Sequence, residues 1–236
     1  MNFIDGEVLY IDKPYRWTSF DVVKRVRGTL LRRMRMKRLK VGHAGTLDPL
    51  ATGVMAICTG KATKLIDTLQ AHNKEYVATI ALGATTPSFD LETEIDARYP
   101  VEHITRELVE STLSQFKGAI EQVPPAFSAC KIAGQRAYHI ARKGGDVDIK
   151  PKTLVIDEIE LLEFSPESIV VRVVCSKGTY IRALARDLGS GGHLTALRRT
   201  RVGDINVEDC LPLDKAIEIL QVIDIEMPED DDTQRK

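Results

Sequence analysis

The chain has 236 residues and a formal net charge of −1, with 43% hydrophobic and 28% charged residues. These values are typical of a globular protein and exclude the disordered and fibrous classes. The sequence has no apolar run of the ~18–20 residues that cross a membrane and no signal-peptide pattern, so we expect a soluble, cytoplasmic protein. Its four cysteines are widely spaced, which predicts buried reduced thiols and no metal site.

The first predicted elements are a short buried strand at residues 7–12 and a helix with Ser19 as its N-cap. The helix leads into a strongly basic segment, because residues 22–47 contain nine bases and no acid. These bases are Lys24, Arg25, Arg27, Arg32, Arg33, Arg35, Lys37, Arg38 and Lys40. A run of like charge is most often a solvated face. One of this length, placed before a glycine-rich loop, favours contact with a phosphate backbone.

The glycine-rich loop at residues 42–53 reads GHAGTLDPLATG. It is predicted to be irregular, because glycine permits turns and proline removes a backbone donor. Its one carboxylate is Asp48, and His43 lies five residues earlier. Taken alone, such a loop is usually only a turn. The basic segment before it and the apolar run at 54–58 after it indicate a rigid loop that holds one acid next to a polyanion.

The remaining chain alternates strand and helix patterns without an internal repeat. The predicted strands are residues 54–59, 75–82, 127–132, 155–164, 169–175 and 201–207. One predicted helix carries Leu65 and Leu69, and another begins at Thr105. Three more predicted helices cover residues 136–143, 180–188 (capped by Thr179) and 212–220. We therefore expect one mixed α/β (α+β) domain at residues 1–220. An acidic tail at residues 221–236, with six acids, would follow it.

Sequence patterns of several other chemistries are missing from the sequence. Residues 53–61 lack the Walker A spacing, and the glycines at 189–192 follow a predicted helix instead of a strand. A glycosidase would need two facing carboxylates, whereas the glycine-rich loop carries only one, Asp48. The candidate partners of Asp48 are His43, Tyr76 on a strand and Arg182 at the start of a helix. An arginine nearby would keep the aspartate ionised, although such a tyrosine is usually core and such an arginine usually makes a surface contact.

Spaced motifs run in order over about residues 6–215. Besides the glycine-rich loop they are GKATK at 60–64, KEY at 74–76, QVPPAFSACK at 122–131, YHIARKG at 138–144, GTYIRALARDLG at 178–189 and LRR at 197–199. Together they resemble the motifs of the bacterial TruB-type tRNA pseudouridine synthases. The resemblance implies that family's catalytic core, a largely antiparallel mixed sheet flanked by helices and loops.

The resemblance also implies a reaction, namely isomerisation of a flipped uridine 55 in the tRNA T-loop. Asp48 would be the essential carboxylate, Tyr76 would stack on the flipped base, and Arg182 would pair with Asp48. His43 would fill the space that the base leaves. Further RNA contacts would come from Lys13, Lys64, Asp90, Lys131, Arg32, Arg33 and Arg35. A monomer that binds the tRNA T-arm is expected, with no metal, cofactor or obligate protein partner and with a possible accessory tRNA-folding role.

The sequence departs from the family pattern in four places. Arg16 replaces a glycine after Lys13-Pro14, and the segment at 85–90 keeps Asp90 but not its usual neighbours. The basic segment is a few residues longer than expected, and we expect no C-terminal RNA-binding PUA domain. Two alternatives stay open. One is a relative that acts with a guide RNA, against which the expected lack of a PUA domain argues. The other is an RNA-binding or RNA-folding module without catalysis, against which the intact loop around Asp48 argues.

Overall fold

A computed structural model describes residues 1–128, 130–132, 135–137, 140, 149–189 and 191–226. The chain divides into two compact units. The first contains Met1–His72 and Arg199–Lys236, and the second contains Asn73–Arg198. Strands of both units belong to one ten-stranded sheet, and the chain returns from the second unit to the first within one long strand, Gly192–Val202.

The described elements, in chain order, begin with β1 (Val8–Lys13), α1 (Ser19–Arg33), β2 (Val41–Ala44), β3 (Ala51–Thr59), a 3-10 helix (Gly60–Leu65), α2 (Ile66–Ala71), β4 (Lys74–Leu82), β5 (Ala84–Thr85), β6 (Ala97–Arg98), α3 (Arg106–Ser114) and β7 (Gly118–Gln122). They continue with β8 (Lys131–Ile132), β9 (Gln135–Arg136), β10 (Lys152–Ser165), β11 (Ser168–Cys175), α4 (Ile181–Asp187), β12 (Gly192–Val202), β13 (Ile205–Asn206), a 3-10 helix (Val207–Asp209), β14 (Leu211–Pro212) and α5 (Leu213–Val222). The predicted mixed α/β class is confirmed.

The sheet of the first unit is built around β3. Strand β3 pairs antiparallel with β1 and with β2, and β1 pairs parallel with β14. Helices α1 and α5 cover β1 and β3 with one apolar cluster that includes Val22, Val26, Ile57 and Leu220. Burial of these apolar side chains stabilises this unit. The cluster fixes the strands on both sides of the predicted loop.

Helix α1 starts one residue earlier than predicted. Its N-cap is Thr18, which forms a capping box with Asp21, so Ser19 is already the first helical residue. The Ser19 hydroxyl is buried, donates to the Leu47 carbonyl at 3.0 Å, and accepts from the Leu47 backbone N–H at 2.9 Å. Ser19 therefore ties the helix to the segment that carries Asp48.

The second unit contains an antiparallel run of strands, β4–β11–β10–β7, with β12 next to β4. Buried and partly buried residues alternate along β4, as a strand with one face on a core requires. The predicted strand at 75–82 and the predicted hairpin at 155–175 are both confirmed. Thr105 is the N-cap of α3, also as predicted.

Several predicted boundaries are wrong. The strand predicted at 201–207 is instead the end of β12, which begins at Gly192, followed by the short β13. Within 127–132 only Lys131–Ile132 form a strand, and β7 at Gly118–Gln122 was not predicted. Strand β7 pairs with the distant strand β10, and such pairing can outweigh the pattern of local hydrophobic alternation.

The predicted helices near the C-terminal part of the second unit also need correction. Thr179 does not cap α4, because its hydroxyl donates to the Ser176 carbonyl at 3.0 Å and the N-cap residue is Tyr180. Arg136, the predicted first residue of a helix at 136–143, belongs to strand β9. Most of that predicted helix lies outside the described residues.

Helix α5 extends to Val222, two residues beyond the predicted end of the domain. Ile223 and Ile225 pack against the apolar cluster of the first unit, and the Glu226 backbone N–H donates to the Met1 carbonyl at 3.0 Å. Two residues of the predicted tail, Ile223 and Ile225, are thus in contact with the core, and residues 227–236 lie outside the described residues. Across the described ranges, no helix is long and apolar enough to span a membrane.

Candidate active site

The loop that carries Asp48 is shorter than its composition predicts. Strand β2 includes Ala44 and β3 begins at Ala51, so only residues 45–50 are irregular; we call them the aspartate loop. Asp48 is half-buried, and its carbonyl accepts from the Ala51 backbone N–H at 3.1 Å. Two antiparallel strands therefore hold both ends of the loop, which gives Asp48 a fixed position.

Lys13 lies beneath the aspartate loop at the end of β1. Its side chain is fully buried, and its ammonium donates to the carbonyls of Trp17 at 2.6 Å, Pro14 at 3.0 Å and Pro49 at 3.3 Å. Burial lowers the pKa of Lys13 to about 8; the nearby Asp48 carboxylate acts in the opposite direction, and the Arg199 charge lowers the pKa further. A buried ammonium with these bonds does not support the predicted phosphate contact, and we assign Lys13 a role inside the protein.

Arg199 is the second buried cation beneath the aspartate loop. It is 1% exposed, and its guanidinium donates to the carbonyls of Val54 at 2.8 Å, Gly45 at 3.3 Å and Thr46 at 3.4 Å. The sequence analysis included Arg199 in a motif but gave it no role in the site. The available signal was an arginine at the end of that motif, but an arginine in a strand is normally expected to face solvent.

His43, the predicted occupant of the space that the base leaves, lies on β2 opposite Ile57. It is partly buried, one residue before the buried Ala44. The structure therefore places His43 on a paired strand that leads directly into the aspartate loop.

In the second unit, Arg182 is the centre of a buried polar cluster. It is 4% exposed and lies in the first turn of α4. Its Nη1 donates to the Ser88 carbonyl and its Nη2 to the Phe127 carbonyl, both at 2.9 Å, while its Nε lies 3.6 Å from Asp90 Oδ2. Arg182 is therefore held rigidly, and its predicted pairing with Asp48 stays a prediction.

Asp90 belongs to this cluster. Its side chain accepts from the Ser88 hydroxyl at 2.6 Å and from the Glu92 backbone N–H at 2.9 Å, and the residue is 4% exposed. The neighbouring Phe89 has a φ of 62°, so the backbone turns sharply at this point. This burial does not support the predicted RNA contact of Asp90, which instead orients Arg182. Ser88, a residue that the sequence analysis did not single out, supplies both a hydroxyl and a carbonyl to the cluster.

Tyr76, the predicted stacking residue, lies on β4 opposite Val173 of β11. It is 8% exposed and shares the buried face of the strand with Ala78 and Ile80. The strand therefore fixes the backbone of Tyr76, and its stacking on the flipped base stays a prediction.

The basic segment lines two grooves of the first unit. The larger, of about 660 Å³, lies between α1 and the 3-10 helix Gly60–Leu65, and we call it the basic groove. Its cationic lining residues are Arg27, Lys37, Arg38, Lys40, Lys61 and Lys64. Ile4, Leu31, Met36 and Leu39 form apolar parts of its wall. The second groove, of about 430 Å³, contains Arg16, Lys24, Arg25 and Arg32.

The predicted RNA contacts are thus distributed unequally over these surfaces. Lys64 is exposed in the basic groove and Arg32 in the second groove, whereas Arg33 and Arg35 are exposed but are not among the described lining residues of either. Lys131 lies on β8, paired with Arg136, and its side chain is outside what the structure describes. Among the described residues, no group of His, Cys, Asp or Glu side chains could hold a metal ion.

Comparisons with known proteins place these features in a family. Residues 32–181 match the TruB family pseudouridylate synthase (N terminal domain). A protein from Phocaeicola vulgatus named tRNA pseudouridine synthase B is 66% identical over 96% of this chain and 98% of its own length. A protein of the same name from Bacteroides fragilis is also 66% identical, over 96% of this chain and 99% of its own length.

A solved structure of a Cbf5-Nop10-Gar1 complex contains a chain of similar fold. The TM-score is 0.68 at 28% identity, over 92% of this chain and 55% of that chain. The chain described here therefore spans about half the length of that structural relative, whereas it spans nearly all of the two bacterial relatives.

Proposed function

The chain belongs to the TruB family of pseudouridylate synthases, and on that premise we propose that it isomerises uridine 55 in the T-loop of tRNA to pseudouridine. Pseudouridine synthases are isomerases. The proposal for tRNA rests on the names of the bacterial relatives, and the proposal for the T-loop rests on the match of the site motifs.

The observation that carries the proposal is the placement of Asp48. A half-buried aspartate in a short loop, held by strands at both ends and next to the buried cations Lys13 and Arg199, is fixed in position beside fixed positive charge. An ionised and immobile carboxylate can attack an electrophilic carbon or stabilise positive charge that develops on a sugar.

The proposed reaction is balanced without a co-reactant. The bond between C1′ and N1 of the uridine breaks, the uracil turns within the pocket, and a bond between C1′ and C5 forms. The proton on C5 is then lost and N1 gains one, so substrate and product have the same mass. Asp48 acts on the sugar or the base, Tyr76 stacks on the flipped base and assists removal of the C5 proton, and Arg182 pairs with Asp48.

The target base has to leave its stack before this chemistry. Extrusion costs a few kcal/mol and costs least in a strained single-stranded loop, which is how the T-loop differs from a duplex. In this proposal, His43 fills the space that the flipped base leaves in the RNA. The basic groove, with Lys64 in its wall, binds phosphates of the same RNA and supplies affinity that does not depend on sequence.

The test is tritium release from C5-labelled tRNA, because the isomers cannot be separated by mass. We expect Asp48→Asn to release no tritium while its affinity for the T-arm stays within about tenfold, or ~1.4 kcal/mol, of that of the parent protein. The amide keeps the shape of the carboxylate without its charge. Turnover by the Asn variant would show that Asp48 is not essential, and no release by the parent protein on isolated tRNA would favour an RNA-binding module or a guide-RNA-dependent relative.

A further inference from the structure

Arg199 is a buried cation in the middle of a protein strand. Burying a guanidinium costs several kcal/mol unless its N–H groups find acceptors. In this chain its three described side-chain hydrogen bonds go to backbone carbonyls, those of Gly45, Thr46 and Val54. The guanidinium therefore serves the backbone around the aspartate loop.

The three carbonyls lie on both sides of Asp48. Gly45 and Thr46 precede it, within the aspartate loop, and Val54 follows it, on β3. A guanidinium is a rigid planar fork, so bonds from its Nε and its two Nη atoms fix the two segments relative to each other. A lysine ammonium at the same place would be a point charge on a flexible stem.

The backbone of Arg199 restricts the same region. A Cβ atom on Gly53 would lie 2.1 Å from the Arg199 carbonyl oxygen, so a side chain at Gly53 would force the strands apart. Gly53 also has a φ of 111°, which L residues with a side chain rarely adopt. The backbone of Arg199 thus lies against Gly53, just after the aspartate loop, and its side chain bonds to carbonyls before and after Asp48.

We propose that Arg199 is a positioning residue of the isomerisation. By bonding to the carbonyls on both sides of Asp48, it holds the carboxylate in the geometry that the reaction needs. The inference rests on the proposed function, and it assigns Arg199 no contact with the RNA.

The first test compares Arg199→Lys with Arg201→Lys. Arg201 lies on the same strand, and its Nη1 donates to the Gly203 carbonyl at 3.0 Å in the next turn. We expect Arg199→Lys to lower kcat by about 100-fold, the loss that a misplacement of about 1 Å can cause, and to leave KM for a T-arm stem-loop almost unchanged. Arg201→Lys should leave kcat unchanged. Equal kcat values for Arg199→Lys and the parent protein would overturn the proposal.

A second test separates positioning from a general loss of folding. Low millimolar guanidinium should restore part of the kcat of Arg199→Ala, because the free ion can occupy the vacated site. A variant that has lost its fold would gain no kcat from the same ion, because it has no vacated site for the ion to occupy. The proposal would also be overturned if Arg199→Ala is folded by circular dichroism, is not rescued by guanidinium, and has a KM that rises by as large a factor as its kcat falls.

A third measurement does not depend on activity. Amide hydrogen exchange at residues 45–54 should be faster in Arg199→Lys than in the parent protein and unchanged in Arg201→Lys. If the parent protein releases no tritium from tRNA, the proposed function fails, and the exchange rates still decide whether Arg199 holds the loop. Identical exchange in all three proteins would overturn the positioning role itself.

Discussion

Burial lowers the pKa of the Lys13 ammonium towards neutral pH. Its three carbonyl bonds and the charge of Asp48 favour the proton, but desolvation is the larger effect and lowers the pKa from 10.5 to about 8. Each unit of pKa difference between the folded and unfolded chain corresponds to about 1.4 kcal/mol. Lys13 therefore links the stability of the chain to pH.

The sign of this linkage can be predicted. Between pH 8 and pH 10.5 the unfolded chain keeps the Lys13 proton and the folded chain has lost it, so the free energy of unfolding rises with pH. We expect urea unfolding of the parent protein, relative to Lys13→Met, to show this rise from about pH 8 to pH 10. Lys61→Met, at an exposed lysine, is the matched control. A constant difference between the parent protein and Lys13→Met across this range would contradict the prediction.

Two buried arginines, Arg199 and Arg182, bond to backbone carbonyls in different parts of the chain. Arg199 bonds to carbonyls around the aspartate loop, and Arg182 bonds to the carbonyls of Ser88 and Phe127 and lies near the Asp90 carboxylate. In both cases the fork geometry of guanidinium fixes backbone segments that are distant in sequence. A lysine would satisfy fewer of these acceptors at once.

At the scale of elements, the C-terminal end of α1 and the segment after it form the most basic part of the first unit. Lys37, Arg38 and Lys40 line the basic groove, and each is exposed. Each phosphate contact to RNA changes the slope of log K against log salt by roughly 0.7–0.9. The groove therefore makes a quantitative prediction about salt.

We expect replacement of Lys37, Arg38 and Lys40 together by Ala to reduce the magnitude of this slope by roughly 2–3 and to raise KM for a T-arm stem-loop. The kcat should stay near that of the parent protein, because none of the three bonds to the aspartate loop in the described contacts. Replacement of Arg32, Arg33 and Arg35 by Ala removes the same charge and is the matched control. Since only Arg32 lines a described groove, we expect a change of about 1 or less. Equal slopes in both triple variants would show that total charge matters and the groove does not.

The elements also show what local sequence determines. Strand β4 and the β10–β11 hairpin were predicted because apolar residues alternate or cluster between clear turns. The start of strand β12 was predicted nine residues too late, because its first half contains glycine and polar residues and its second half contains Arg198, Arg199 and Arg201. Its pairing with neighbouring strands, which local sequence does not encode, decides its start.

The sequence likewise predicted some residues of the candidate site and missed others. The glycine, proline and single acid of the loop indicated Asp48 as the candidate carboxylate, and the motif match added Tyr76 and Arg182. The burial of Lys13, Asp90 and Arg199 could not be predicted, because a charged residue is normally exposed and only tertiary contacts show that its charge is compensated inside the protein.

At the scale of the whole chain, charge is separated along the sequence. Residues 22–47 contain nine bases and no acid, while residues 221–236 contain six acids and two bases. The net charge of −1 hides this asymmetry. A polyanion would be attracted to one segment and repelled by the other. The acidic segment should therefore weaken RNA binding at low salt.

Two truncations separate the charge of this segment from its packing. A chain ended at Glu226 loses the four acids Glu229, Asp230, Asp231 and Asp232, and it keeps Ile223 and Ile225 on the apolar cluster. We expect it to bind tRNA more tightly than the full chain at low salt and equally at high salt, with the same kcat. A chain ended at Leu220 also loses the two isoleucines, which are half-buried and contribute about 1 kcal/mol each.

The Tm of the chain ended at Leu220 should therefore lie roughly 4–8 °C below that of the chain ended at Glu226. A loss of about 2 kcal/mol in the free energy of unfolding shifts the Tm of a domain of this size by that amount. Its kcat, measured well below the Tm, should equal that of the longer truncation, since neither isoleucine contacts the aspartate loop in the described structure. Thermal unfolding of the two truncated chains measures the first expectation, and tritium release measures the second. Equal Tm values would mean that the contacts of Ile223 and Ile225 do not stabilise the first unit. A lower kcat only in the shorter chain would mean that the end of α5 supports the aspartate loop through the core.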